Sequence, residues 1–561
     1  MTANKAMAPN ATDKPGRHAD PMFPSLDELM ISRLKPRGRI RSVPRGEILI
    51  EPGSEIRHFY VVISGTLALN RTDDGTFQIF RSLLPGMFTG ELSLITGRHG
   101  FVRISAAEDS SVLEIDRNVL LEVLRTDSQL GDIFLSAFIA RRLALIEDAA
   151  SDIVVVGSNH SQDTFRIKEF LTANYQPYSF VDVENDDEVA HLVDRFRFGI
   201  DELPVVICRS ALLLRNPTNE ELASCLGFNA SIDREQVRDL IIVGAGPSGL
   251  AAAVYGASEG LDVLVIEGNA PGGQAGASSR IENYLGFPLG VSGHDLAGYA
   301  FTQAEKFGAE MLIAESAKQL TCERRPYTIQ LSDGKIHGKT VIIAAGAEYE
   351  RLPVDGIAMY EGAGVYYGAT HLEAEFCAGE DVVVVGGGNA AGQAALFLSE
   401  TARLVYLIVR SEGLEKSMSR YLIRRIEDAV RIKLLTHTEI IRLNGHLTLE
   451  GVEWRNNRTG EIGSHDTKSL FSMIGAIPNS RWLAGCLAVD KKGFVKTGPD
   501  LAREDLRHHK WPLSRAPLLL ETSLPGVFAV GDIRSGSVKR VASAVGEGSI
   551  AVSLVHRVLA E

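Results

Sequence analysis

Residues Asp239–Gly268, DLIIVGAGPSGLAAAVYGASEGLDVLVIEG, restrict this chain more than any other stretch does. An apolar strand runs into a glycine-rich turn, a helix of small residues, and a second apolar strand that ends in Glu267. In such a unit Gly244 permits a sharp turn, and Gly246 lets the backbone approach a pyrophosphate. Gly249 lets the helix pack close to the strand, and Pro247 and Ser248 open that helix. The unpaired N–H groups and dipole of its N-terminus then face the phosphates. Glu267 stands where a carboxylate accepts both hydroxyls of an adenosine ribose. A glycine-rich turn in an ordinary α/β domain is the bland alternative. Strand, helix, second strand and acid in this order favour a dinucleotide.

The rest of the composition bounds the class. A chain of 561 residues exceeds one core, and roughly three to five domains are expected. The balance of 58 basic against 71 acidic residues, a net charge of −13, argues against a general nucleic-acid or anionic-membrane binder. No apolar run is long enough to span a bilayer. Residues 1–22 are polar and rich in small residues, without the apolar core of an export signal; they read as a disordered tail, and the chain as cytoplasmic. The cysteines Cys208, Cys225, Cys322, Cys377 and Cys486 are scattered and none forms C-x-x-C, so neither a disulfide framework nor a metal site is expected.

Residues 23–148 contain short β-like runs between glycine turns and close on an amphipathic helical pattern, as in a small β jelly roll. At GMFTGELSLITGRHG this segment resembles the cyclic-nucleotide-binding domain. The resemblance implies that Gly90 and Glu91 begin the phosphate-binding cassette, with Glu91 on the ribose. The family's phosphate-binding Arg falls on Gly100; Arg98 and Arg103 are the nearby cations that could stand in. A cyclic nucleotide is thus one expected ligand, and a nucleotide-free regulatory or dimer-contact module is the other reading. Residues 150–232 follow a β-α-β-α-β-β-α order that resembles the thioredoxin/glutaredoxin fold, with Pro204 at that family's cis-proline. The turn that should carry two cysteines reads Ser158-Asn159-His160-Ser161, so no thiolate can attack there. Cys208, within an apolar strand, reads as a buried small hydrophobe.

From Val237 to the C-terminus the chain resembles the low-molecular-weight thioredoxin reductase family of FAD/NAD(P)H flavoproteins. PGGQAGASSRIENYLGFP, VIIAAGA and GVFAVGDIR follow in that family's order. The resemblance implies an FAD domain at 237–352 and 475–561, interrupted by an NAD(P)H domain at 353–474. Gly272, Gly273, Gln274 and Asn283 would lie along the flavin's ribityl and pyrophosphate, beside Ala345 and Gly346, with Asp532 on the ribityl chain. Lys539, Arg540 and Val541 would contact the flavin, at the start of a helix whose dipole favours negative charge on the reduced ring. The inserted domain has a second fingerprint, Gly386-Gly387-Gly388-Asn389-Ala390-Ala391. Its next strand ends on Arg410 rather than an acid, which favours a 2′-phosphate and hence NADPH over NADH. The second basic position usual there is Ser411; Lys416 or Arg420 could compensate.

Thioredoxin reductases carry a C-A-T-C motif ahead of that second fingerprint. Here the stretch is Tyr367-Gly368-Ala369-Thr370-His371, with no sulfur. His371 is a candidate proton donor to a reduced flavin, against the commoner structural histidine. Cys377, further along, reads as structural. The sequence as a whole predicts a multidomain, homodimeric enzyme. Its parts are a cyclic-nucleotide-like jelly roll, a thioredoxin-like domain without its redox motif, and two α/β dinucleotide domains that pass hydride from NADPH to FAD and on to an unnamed acceptor. The alternatives are a true thioredoxin-disulfide reductase using a cysteine outside the motif, and a low-turnover flavin or nucleotide sensor.

Overall fold

The computed structural model describes residues 20–147, 153–183, 202–208, 212–229 and 232–561, less positions 21, 55, 74–75, 91, 97–101, 160, 279, 324, 370 and 447. These residues form two compact units, the first ending at Glu147.

The first unit is antiparallel. One sheet joins Arg39–Val43, Ser110–Asp116 and His58–Ser64; the other joins Ile48–Ile50, Arg103–Ala106, Leu67–Asp73 and Thr76–Leu83. Phe59 and Phe88 from the β part meet Phe134 and Phe138 from the helix Ser128–Glu147, in a fully buried knot with ring centroids 4.8–6.4 Å apart. The i, i+4 spacing of Phe134 and Phe138 puts both rings on one helix face. Arg141, one turn on, donates to the carbonyls of Met22 and Gly90, and ties the helix to the Gly90 turn.

The second unit opens with a four-stranded sheet, in the order Leu212–Arg215, Val205–Cys208, Ile153–Gly157, Ser179–Asp182. Ile153–Gly157 and Ser179–Asp182 are parallel and the other two pairings antiparallel. The helices Gln162–Ala173 and Asn219–Leu226 pack on it, and the Leu203–Pro204 peptide is cis. The helix expected over EVAHLVDRF lies outside the described residues. Ile153, Val155, Ile167, Phe170 and Val206 continue without a break into the core around Leu240 and Ile242.

That second core belongs to a seven-stranded sheet. Glu310–Ile313, Val263–Glu267, Val237–Val243 and Lys335–Ile343 run parallel, and the late strand Val527–Ala529 joins Lys335–Ile343, also parallel. Strands buried on both faces are continuous apolar runs, and LIIV and VLVI are such runs. The chain leaves this domain through Ala347–Tyr349 and returns through Ala476–Pro478, which pair antiparallel. Between them lies a second parallel sheet, ordered Val365–Tyr366, Leu470–Ser472, Asp381–Val385, Leu404–Ile408, Ile432–Leu435, with a three-stranded antiparallel meander over 438–466.

One expectation is corrected. The cysteines do not stay scattered in space: Cys322 meets Cys486, with Cα atoms 5.7 Å apart, and Cys208 meets Cys225 at 7.0 Å. Separations of 164 and 17 residues form no motif in the sequence; the packing of a helix and of a loop against strands brings them together. Cys377 alone is free, and buried.

The strand that delivers the C-terminal site residues hangs on Glu521. This fully buried carboxylate accepts both Arg515 Nη atoms, at 2.6 and 3.1 Å, and the N–H groups of Leu518 and Gly526. Arg515→Ala strands that charge and is expected to cost about 3–5 kcal/mol in urea unfolding. Adding Glu521→Gln should recover part of the loss, because a neutral amide needs no counter-ion.

Candidate active site

The first fingerprint is built on absent side chains. Gly244 turns with φ +103°, and a Cβ there would strike the carbonyl of Ala344. A Cβ on Gly249 would strike the carbonyl of Gly244, so the helix Pro247–Ser258 lies against the turn. At Gly246, the N-cap of that helix, a Cβ would meet nothing within 4 Å. Open space at a helix N-terminus is a phosphate cradle. Ser248 is buried beneath it. Glu267 ends its strand with one oxygen accepting the Ala245 N–H at 2.7 Å and the other the Asn269 N–H at 2.9 Å. Burial pushes its carboxyl up and these N–H groups oppose the shift. Glu267 and Gly244 line a cavity of about 520 Å³ together with Glu315, Asn479, Arg481 and Trp482.

The other first-domain residues gather around the same turn. Gly272 and Gly273 have φ of +117° and +52°, and a Cβ on Gly273 would sit 3.1 Å from the Gly246 Cα. Gln274 donates to the Ala347 carbonyl at 2.6 Å, while Asn283 is exposed. Gly346 turns at φ +62° into open space. Asn479 donates to the Ala345 carbonyl at 3.0 Å, and its own N–H to that of Gly346. Gly531 turns directly over Ser248, which brings Asp532 to the cradle. Burial pushes the Asp532 carboxyl up; Lys539, 3.9 Å away, pulls it down, and Glu547 adds to the rise. Lys539 also donates to the Asp532 carbonyl at 2.6 Å. Arg540 is the exposed N-cap of the helix Val541–Leu559, and Val541 is its first residue. An acid disfavoured in its charged form, beside two glycine-walled spaces, fits a group that brings hydroxyl donors and a pyrophosphate. Those are the functional groups of FAD.

The second fingerprint repeats the design. A Cβ on Gly386 (φ +145°) would strike the Met473 carbonyl, whereas one on Gly388 would meet nothing within 4 Å. The helix Asn389–Leu398 starts there; Asn389 Oδ1 accepts the Ser419 N–H at 2.7 Å, Ala390 is exposed and Ala391 buried. Ser417 donates to the Gly387 carbonyl at 2.7 Å. Arg410 stands exposed just past Leu404–Ile408, and Lys416 and Arg420 are exposed on the segment that follows. Ser411 is not part of a cationic pair, since its hydroxyl donates to the Gly413 carbonyl at 2.8 Å.

The stretch at 367–371 meets the first domain. Ala369 forms a parallel bridge with Ser278, and a Cβ on Gly368 would lie 3.3 Å from the Ala277 Cβ. Thr370 lies outside the described residues. His371 begins the helix His371–Phe376, and its side chain lies outside them too. Cys377 donates to the Glu373 carbonyl at 3.0 Å, and burial pushes its thiol up to about 12. Arg425 of the inserted domain grips Glu282 of the first through both carboxylate oxygens, at 2.9 and 2.8 Å.

The four-stranded unit touches both domains. Toward the first, Tyr175 stacks on His294 at 4.1 Å and Asn174 donates to the Asn269 carbonyl at 3.2 Å. Toward the inserted domain, Phe165 packs on Tyr366 at 5.6 Å, and Gln162 lies against Gly362. In the separate N-terminal unit, Gly90 turns at φ +97° with its carbonyl taken by Arg141. Glu91 and Arg98 lie outside the described residues. Arg103, the other candidate phosphate cation, pairs with Glu51 just past the Ile48–Ile50 strand, donating to it at 2.6 and 2.7 Å. Its charge is already matched. Among the described residues no cluster of metal ligands occurs, and no helix is long and apolar enough to cross a membrane.

Sequence reasoning missed Asn479, Trp482 and Glu547. Glu547 accepts the Gly531 N–H at 2.7 Å and pairs with Arg534. Only the Pro478-Asn479 turn dipeptide gave a local signal; the other two act through packing.

Two nested dinucleotide folds, each with its own glycine cradle, define an oxidoreductase that carries a flavin and takes a pyridine nucleotide. The comparisons agree. Residues 238–548 match the family model for pyridine nucleotide-disulphide oxidoreductases, and residues 40–127 that for the cyclic nucleotide-binding domain. A thioredoxin reductase of Mycolicibacterium smegmatis is 34% identical over 327 residues, 58% of this chain and 98% of that protein. The NADPH-dependent thioredoxin reductase 3 of Arabidopsis thaliana is 32% identical over 368 residues, 62% of this chain and 65% of that protein. The crystal structure of T. acidophilum thioredoxin reductase superposes with a TM-score of 0.52 at 27% identity, covering 59% of this chain and all of that one. The chain belongs to the pyridine nucleotide-disulphide oxidoreductase family, as an FAD-containing NAD(P)H-dependent oxidoreductase like the thioredoxin reductases.

The two open glycines separate binding from folding. A Cβ at Gly246 or Gly388 meets no protein atom within 4 Å, so with Gly246→Val and Gly388→Val the thermal unfolding midpoints of the cofactor-free protein should stay put. Gly246→Val is expected to abolish copurifying FAD, and Gly388→Val to raise the KM for the nicotinamide nucleotide about tenfold or more with FAD retained.

Proposed function

We propose that this chain moves electrons from NADPH to FAD and then directly to an acceptor, without a cysteine pair in between. When bound, FAD accepts a hydride from the nicotinamide and releases its electrons in a later step. The observation that carries the reading is the sulfur-free stretch Gly368-Ala369-Thr370-His371, whose first two residues lie against Ala277 and Ser278, just after the Gly272–Gln274 loop. No side chain there forms the disulfide that dithiol relay requires. Cys377 is a poor substitute, since a thiol with a pKa of about 12 stays protonated at neutral pH.

The chain's residues supply position and field. The Gly244–Gly249 turn with Glu267, the Gly272-Gly273-Gln274 loop, Asn283, Ala345, Gly346 and the Asp532–Val541 segment are assigned to FAD. Gly386, Gly388, Asn389, Ala390, Ala391 and Arg410 are assigned to NADPH, with Lys416 and Arg420 as further cations for the 2′-phosphate. Residues 150–232 are assigned a thioredoxin-like fold, supported by the sheet order and the cis proline, in a scaffolding role. The match at 40–127 supports regulation by the N-terminal unit, and the acceptor screen below is run with and without cyclic AMP and cyclic GMP. A homodimer is supported by an apolar groove of about 500 Å³ beside the helix Pro247–Ser258, lined by Leu250, Val254, Tyr284, Phe287 and Tyr299, with Leu285 and Leu289 exposed on the same 284–289 segment.

Stopped-flow absorbance at the flavin band tests the reading. NADPH is expected to bleach the flavin within seconds, and Cys377→Ser should change neither that rate nor turnover with quinone or ferricyanide acceptors. Arg410→Ala should raise the KM for NADPH about tenfold while leaving NADH nearly unaffected. Turnover with a thioredoxin disulfide that is lost in Cys377→Ser would replace this reading with a disulfide reductase. Flavin that reduces and is never reoxidised by any acceptor would replace it with a sensor.

A further inference from the structure

The pairing of Cys322 with Cys486 lies behind the wall of the Glu267 cavity. Cys322 follows the edge strand Gln319–Thr321, and Cys486 follows the turn Arg481–Leu483. Their Cα atoms, 5.7 Å apart, stand at the usual separation for a disulfide. Both sulfurs also lie within reach of one acceptor, the carbonyl of Leu320, at 3.5 Å from Cys322 and 3.0 Å from Cys486. The two thiols are therefore satisfied when reduced and positioned to bond when oxidised. Cys322 is half-buried and Cys486 buried, so Cys322 is the sulfur a solute reaches first.

The segment these sulfurs would pin is the one that closes the cavity. Ile477, Pro478, Asn479, Arg481 and Trp482 line it opposite Gly244 and Glu267. Asn479 reaches across to Ala345, and Trp482 Nε1 donates back to the Asn479 carbonyl at 3.0 Å. Beyond Trp482, the dithiol form holds this segment by the packing of Leu483 and Leu487 and by two hydrogen bonds, Cys486 to the Leu320 carbonyl and the Ala488 N–H to Ser523 Oγ. A covalent bond at Cys486 anchors it to the end of the edge strand Gln319–Thr321, 164 residues away in sequence.

We propose that Cys322 and Cys486 form a reversible redox latch that sets how tightly the Glu267 cavity holds its occupant. The oxidant class is a low-molecular-weight disulfide. The Cys322 thiolate attacks one of its sulfurs, forming a mixed disulfide and releasing one thiol, which takes up the Cys322 proton. Cys486 then loses its proton and attacks Cys322 Sγ; the intramolecular S–S bond forms and a second thiol leaves. Two protein thiols are oxidised, and the small disulfide gains both electrons and both protons. The link between latch and cavity rests on the assignment of FAD to this cavity; the sulfur chemistry does not.

The test uses the full chain with its bound FAD, incubated with oxidised glutathione or with dithiothreitol. Non-reducing peptide mapping is expected to yield a Cys322–Cys486 cross-linked peptide in the first case only, distinct from any Cys208–Cys225 peptide. FAD release, followed as the rise of free-FAD fluorescence on dilution, should be about tenfold slower from the oxidised protein. Cys322→Ser and Cys486→Ser should release FAD at the reduced rate under both conditions. If either variant fails to fold, the wild-type comparison alone carries the test. A Cys322 that remains alkylatable after oxidised glutathione overturns the latch. A cross-linked peptide with unchanged FAD release, or with no FAD to release, overturns its coupling to the cavity.

Discussion

Everything around the site depends on three backbones meeting without side chains between them. The turn at Gly244, the helix at Gly249 and the C-terminal helix at Gly548 touch so closely that a Cβ on Gly249 would strike Gly244 and one on Gly548 would strike Ser248. Gly531 turns against Ser248 from a third side. Close packing of this kind costs conformational freedom in the unfolded chain at every glycine. What it gains is position: the helix Pro247–Ser258 starts directly at the cradle, and the last 35 residues are held against that helix and the strand Lys335–Ile343. The Val527–Ala529 strand therefore pairs with Lys335–Ile343, although nearly 200 residues separate them, and the inserted domain is looped out between two short paired strands. The nested order of the two dinucleotide domains follows from that contact.

The inserted domain is then tethered rather than fused. Its covalent links are Ala347–Tyr349 and Ala476–Pro478, and its contacts with the first domain include the Arg425–Glu282 pair and the Ser278–Ala369 bridge. Arg425 is nearly half exposed, and an ion pair of that kind is worth a fraction of a kcal/mol in salt, about 0–1. Such a link fixes orientation without preventing motion. It is the character expected where two cofactors held in separate domains must come together and part.

The parts that were legible in the sequence are those where backbone geometry dictates residue type. Gly244, Gly249, Gly386 and Glu267 announced themselves because nothing else fits a positive φ, a close approach, or a strand-end acid. Asp532 was legible because an apolar strand ends on it. Gln274 and Asn283 were visible as motif residues, yet their surroundings were not: one amide is spent on Ala347 and the other stands in solvent. Arg103 shows the limit from the other side, since a charge read along the chain says nothing of the Glu51 that strand pairing sets beside it. The cysteine pairs were illegible for the same reason. Cys208 on a strand meets Cys225 on a helix, and Cys322 beyond an edge strand meets Cys486 in a loop, partners that only tertiary packing brings together.

The four-stranded unit between the N-terminal unit and the first dinucleotide domain illustrates how contact chemistry assigns a mechanical role. Its two faces are unlike. Toward the first domain its interior is continuous with the larger core, from Phe170 and Val206 through Leu240 and Ile242, and Tyr175 and Asn174 add polar anchors at the edge. Separating that face would expose several fully buried side chains, each worth about 1.5–3 kcal/mol. Toward the inserted domain the contact rests on Phe165 against Tyr366, Gln162 against Gly362, and the attraction between Lys168 and Glu375. Among the described residues, Phe165 alone of this unit packs on the inserted domain's apolar core, whereas the unit's interior is part of the first domain's. A separation of the two dinucleotide domains would leave the four-stranded unit on the first and part Phe165 from Tyr366, two residues before Gly368.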